Sequence, residues 1–231
     1  IRFGTGTFSG ALVGLSSVDP DVVQFFGDAK ISGVNGGAAT GAGKANFSDA
    51  NISVSMTLAQ HNGFNQVFLQ TTNTQTITLT TSGTATGDGG IEQYNLFSGD
   101  DTFTVAPNGA QVGGSQNVNF GGGTDIAVFG NGTFSGTMTG IGAGDTTKFV
   151  GNADIKGVNV GASFTDKVDF NDQSVSVTMT ATQYNGYAPQ PFGKTGNTQT
   201  ITLFSALAAT IIGDVGIENF FLTGGVNYDF T

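Results

Sequence analysis

The segment NISVSMTL, Asn51–Leu58, alternates without a break. Ile52, Val54, Met56 and Leu58 fall on one side of an extended chain and Ser53, Ser55 and Thr57 on the other, the period of two expected of a strand with one buried and one wet face. Val175, Val177 and Met179 repeat the scheme. Ile77 and Leu79 alternate with Thr76, Thr78 and Thr80, and Ile201 and Leu203 match them. Half-buried strands of this kind are commonest in antiparallel sheets with a single core face.

Outward from this segment the chain repeats itself. FGTGTFSG at Phe3–Gly10 returns as FGNGTFSG at Phe129–Gly136, GDAKISGVNGGA from Gly27 as GNADIKGVNVGA from Gly151, and the block from Phe47 as that from Phe170. NTQTITL at Asn73–Leu79 recurs letter for letter at Asn197–Leu203. The order is kept and the offset stays between 123 and 126 residues, which marks an internal duplication with small changes in loop length. Asn62-Gly63 and Asn185-Gly186 each follow a strand and read as tight turns that need positive φ. The prediction is an all-β protein of two tandem, similar antiparallel β-sandwich or barrel-like units. Residues 1–105 form the first copy, 106–116 a Gly/Asn/Pro linker, and 117–231 the second copy.

Composition agrees with a β protein. Of 231 residues 38 are Gly and only 10% are charged, while 38% are hydrophobic. Thr, Ser and Asn take surface places that helices give to Glu, Lys and Arg. Twenty Phe with no Trp and no Cys supply the bulky core, so burial and strand pairing stabilise the fold without disulfides. The charge of −10, from 17 acids against seven bases, repels phosphate backbones and anionic headgroups, which argues against nucleic acid or a membrane surface as partner. No apolar run reaches the ~20 residues of a spanning helix. The Gly/Thr/Asn-rich, Lys-poor make-up and a start at Ile1 suit an extracellular or cell-surface protein whose leader has been removed.

Catalytic chemistry finds few candidates. His61 is the only imidazole, and Tyr184 replaces it in the second copy, which favours a packing role. Glu92 and Glu218 match between the copies, but a glycosidase pair must flank one bond and these belong to different units. Calcium is the one cofactor for which donors exist, in Asp19-Pro20-Asp21, Gly99-Asp100-Asp101 and Asp166, Asp169 and Asp172; charges that keep a Gly-rich surface soluble are the preferred account of them, so no cofactor is expected. The Thr-x-Thr stretch Thr76–Thr80 suggests an ice-binding face only where many such rungs are in register, and the sequence shows short stretches.

The expected function is non-enzymatic: a structural subunit that polymerises with copies of itself into a surface filament, sheath or layer. Strands poor in Lys and Pro leave their edges unprotected. The apolar N-terminal segment, with Ile1, Phe3, Phe8 and Leu12, either completes a neighbour's sheet or forms the first strand of its own unit. The alternative is an adhesin or a binding module for a surface glycan or small ligand, with contacts at the turns that carry Asn62 and Phe64 and, in the second copy, Asn185 and Tyr187.

Overall fold

The computed structural model describes residues 1–12, 21–35, 43–47, 51–66, 73–108, 115–160, 167–170, 173–187, 196–205, 209–211, 216–224 and 227–230. The first repeat runs β1 (Arg2–Phe3), β2 (Gly6–Ala11), β3 (Asp21–Phe25), β4 (Ala29–Asn35), β5 (Gly43–Phe47), β6 (Ile52–Met56), α1 (Leu58–Gly63), β7 (Phe64–Gln66), β8 (Gln75–Leu79), β9 (Thr84–Thr86), β10 (Gln93–Asn95), β11 (Thr102–Thr104) and β12 (Asn117–Asn119). The second runs β13 (Ile126–Phe129), β14 (Gly132–Thr139), β15 (Thr146–Phe149), β16 (Ala153–Asn159), β17 (Lys167–Asp169), β18 (Val175–Thr180), α2 (Ala181–Tyr187), β19 (Gln199–Phe204), β20 (Ala209–Ile211), β21 (Asn219–Thr223) and β22 (Tyr228–Phe230).

Every strand pair among the described residues is parallel, which overturns the expected antiparallel sandwich or barrel units. The chain winds as a β-solenoid. One side is an 11-stranded sheet ordered β2-β4-β6-β8-β10-β12-β14-β16-β18-β19-β21; the other carries β1-β3-β5-β7, then β17-β15-β13-β11-β9, then β20-β22. Alternation reports that one strand face is buried and says nothing of the neighbour's direction, so the same pattern serves either sheet type. Residues paired on neighbouring rungs lie 17 (Thr76 and Gln93) to 25 (Ala29 and Val54) positions apart, so each rung supplies its own crossover. The 126-residue repeat spans six rungs, and β13 and β14 then restate β1 and β2. Sheet pairing crosses from one repeat to the next, since β12 pairs with both β10 and β14.

The core lies between the sheets as stacked columns. Phe3, Phe25 and Phe47 stack at 5.7 and 5.1 Å, and Phe129, Phe149 and Phe170 at 5.7 and 5.8 Å. Opposite them Val54, Ile77, Tyr94, Val118 and Met138 occupy registered inward positions. Each fully buried side chain of this size contributes roughly 1.5–3 kcal/mol.

The expected turns at Asn62-Gly63 and Asn185-Gly186 are helical, inside α1 and α2. Capping boxes start both helices: Gln60 N–H donates to Thr57 Oγ1 (3.2 Å) while Thr57 N–H donates to Gln60 Oε1 (2.8 Å), and Thr180 and Gln183 repeat the exchange at 3.1 and 2.7 Å. The buried amide of Gln60 also donates to the carbonyls of Ile31 and Val34, as Gln183 does to those of Ile155 and Val158. Both targets lie on β4 and β16, where the register with the preceding rung shifts and ladder partners are missing. In β14, Gly136 has φ +119, and a Cβ there would strike the Gln116 carbonyl, so the close approach of these rungs needs glycine.

Candidate functional site

The corners between the two sheets carry most of the organised polar chemistry, because there the ladder breaks and backbone amides need other acceptors. At one corner side chains on several rungs accept from the next: Asp28 from Ser53 N–H, Asn51 from Thr74, Asn131 from Asn152 and Asn152 from Ser176, all at 2.8–2.9 Å, while Glu92 and Glu218 accept from the rung before. At the opposite corner three links in succession run from the earlier rung to the later one. Gly83 N–H donates to Asp101 Oδ1 (2.7 Å), Asp101 N–H to Asp125 Oδ1 (2.9 Å) and Asp125 N–H to Asp145 Oδ1 (2.8 Å). Asp101, Asp125 and Asp145 are 3%, 0% and 5% exposed, so three carboxylates are stacked out of water. Burial raises the pKa of Asp101 and pushes that of Asp125 up to about 6; the donated amides oppose this, while neighbouring carboxylates reinforce it.

On the outer face of the long sheet two uncharged columns run in register over five rungs: Ser53, Thr76, Gln93, Asn117 and Thr137, and beside them Ser55, Thr78, Asn95, Asn119 and Thr139. Registered rungs are therefore present, although hydroxyls give way to amides in mid-column. A shallow groove of about 280 Å³ opens here, lined by Gln93, Asn117, Val118, Asn119, Thr137 and Thr139.

The residues singled out in the sequence fall in several places. Phe3 is buried on β1 in register with Phe25, Phe8 packs edge-on to it at 5.0 Å, and Leu12 N–H donates to the Asn35 carbonyl. Ile1 is 45% exposed, and its ammonium donates to the Val22 carbonyl. These residues form the first rung of their own solenoid. Asn62 and Asn185 donate to the carbonyls of Thr84 and Thr210, Phe64 begins β7 half-buried, and Tyr187 is buried with its hydroxyl 3.3 Å from Thr147. The four are thus spread over two distant helix corners.

His61 is buried edge-on to Tyr94 at 5.6 Å, and burial lowers its pKa. Tyr184 and Phe220 repeat the pair at 5.5 Å. Glu92 and Glu218 accept from the amides of Gln75 and Gln199, both at 2.8 Å, which gives each a structural task between rungs. Among the described residues no group of three or more His, Cys, Asp or Glu is placed to hold a metal ion. Of the candidate calcium donors, Asp100 accepts from Thr124 N–H, Asp169 pairs with Lys148 at 3.4 Å, and residues 19, 20, 166 and 172 lie outside the described residues. No described helix is long and apolar enough to cross a membrane.

The aspartate column and the groove were both missed in the sequence. Asp-Asp at Asp100-Asp101, Thr-Asp at Thr124-Asp125 and Gly-Asp at Gly144-Asp145, each immediately before a strand, were the available signal. Searches of family models, curated proteins and solved structures find no match to this chain.

Proposed function

We propose that this chain is a non-catalytic structural subunit of the cell surface or extracellular space that stacks end to end with copies of itself. The supporting observation is the pair of sheet edges. Among the described residues β2 has only β4 as neighbour and β21 only β19, and neither GTFSGA nor NFFLT contains a charge or a proline. Such edges are templates for further strands. Parallel rungs make the two ends different and complementary, and a heterologous contact of that kind propagates without closing. At the last rung Leu222 lies in register with buried Leu203 yet is 41% exposed, and Phe221 is 59% exposed.

Electron microscopy and sedimentation of the purified chain test the reading. It predicts concentration-dependent filaments or sheets from the wild type, and monomers from Leu222→Lys with an unchanged circular dichroism spectrum. A wild type that stays monomeric at millimolar concentration, or a variant that assembles equally well, rejects it.

A second reading, a module that binds a neutral glycan, is favoured by the uncharged amide- and hydroxyl-lined groove on the long sheet. Binding to immobilised neutral polysaccharide should fall at least about tenfold, or roughly 1.4 kcal/mol, in Gln93→Ala/Thr139→Ala. Equal retention of wild type and variant excludes the groove.

A further inference from the structure

The corner column of Asp101, Asp125 and Asp145 contains more carboxylate oxygen than donors to satisfy it. Asp101 Oδ1, Asp125 Oδ1 and Asp145 Oδ1 each take a backbone N–H, and Asp145 Oδ2 takes that of Gly142 at 2.6 Å. Asp101 Oδ2 and Asp125 Oδ2 are buried with no hydrogen-bond partner among the described residues; the Phe97 backbone amide near Asp101 eases its burial without outweighing it, since the Asp101 pKa is still raised. An ionised carboxylate oxygen with neither water nor donor is costly, and a second carboxylate one rung away makes it costlier. We propose that the Asp101–Asp125 pair holds one proton in the folded protein, making this corner a clasp that is closed when protonated and loosened when the proton leaves.

The groups around the pair support a proton as occupant. Asp145 lies one rung beyond Asp125, and Asp100 adds negative charge beside it. The lysines of the same sheet are engaged or directed elsewhere: Lys148 pairs with Asp169, and Lys167 is exposed. The three carboxylates also lie along the stack without the convergence a metal needs. A single proton from solvent neutralises one of the two buried carboxylates and removes one of two neighbouring charges.

The sign follows from linkage. A carboxyl that keeps its proton to higher pH in the folded state, here about 6 for Asp125 against an ordinary 3.8, gives stability that is complete below the ordinary value and is lost as pH rises through the folded one. The corner tightens in acid and relaxes toward neutrality, over a window from about 4 to about 6. The device is independent of whether the chain assembles.

Carbon-detected NMR of the full-length chain reads the proton directly. One carboxyl of the pair should titrate near pH 6, well apart from exposed aspartates; both titrating near 4 overturns the proposal. Amide exchange over residues 97–105 and 121–129, corrected for intrinsic rates, supplies the second readout. Protection in the wild type should fall roughly ten- to a hundredfold from pH 4.5 to 7.5. In Asp125→Asn, whose amide mimics the protonated acid, it should stay level. Equal pH dependence in both proteins refutes the clasp. So does millimolar calcium at pH 7.5 that restores wild-type protection as acid does, since a cation is then the occupant.

Discussion

His61 shows how a chemically loaded residue becomes a packing element. Its ring meets Tyr94 edge-on, Nδ1 lies 3.0 Å from Asn62 Oδ1, and the same site in the second repeat holds Tyr184 against Phe220. Retention of an aromatic pair while the imidazole is lost fits a core role, and the sequence alone carried that much. Burial lowers the His61 pKa below its ordinary 6.5, with the Asn62 hydrogen bond and the Asp88 charge opposing. The unfolded chain therefore takes up the proton first, and stability present above pH 6.5 is lost as pH falls below it. Between pH 7.5 and 5, urea denaturation should show a smaller loss in His61→Tyr than in wild type. A matching loss contradicts neutral burial of the ring. Asp125 acts in the opposite direction with pH, and comparison with wild type cancels its contribution.

At the level of elements, the strands were legible and their partners were not. Ile52–Met56 and Gln75–Leu79 were readable because alternation is local. Strand direction depends on what lies between strands, and unequal loops hid the rung: register partners lie 17 to 25 residues apart, so only the longer six-rung duplication stood out. The clue was the spacing of Phe3, Phe25 and Phe47, whose rings stack. Asn-Gly at 62–63 and 185–186 suggested hairpins, yet Thr57-x-x-Gln60 and Thr180-x-x-Gln183, the capping-box pattern, specify the helices that form. The aspartate column was invisible for the same reason as the rungs, since its members become neighbours only once the chain is wound. The Phe stack gives a direct energetic test. Phe149→Ala, in mid-stack between Phe129 and Phe170, should cost about 3–5 kcal/mol in denaturant titration. Phe204→Ala, on a side chain 40% exposed, should cost less than about 1 kcal/mol. Similar losses at both positions contradict the stacked interior.

For the whole molecule, parallel winding makes length, edges and faces properties of rung number. Each rung contacts only its neighbours, as in other solenoids, so stability accumulates rung by rung. Spin-label distances measure this winding directly, and the chain has no cysteine to interfere. Thr84 and Lys167 are exposed on strands four steps apart in the β9-β11-β13-β15-β17 sheet. Ser53 and Thr137 are four steps apart on the opposite sheet. Strands spaced ~4.8 Å place both pairs about 19 Å apart at the backbone, and moving the second label from Lys167 to Thr146 should shorten the distance by one strand spacing. Narrow distributions at those separations are the predicted result. Broad distributions, or separations that do not change with rung number, contradict a solenoid of stacked parallel rungs.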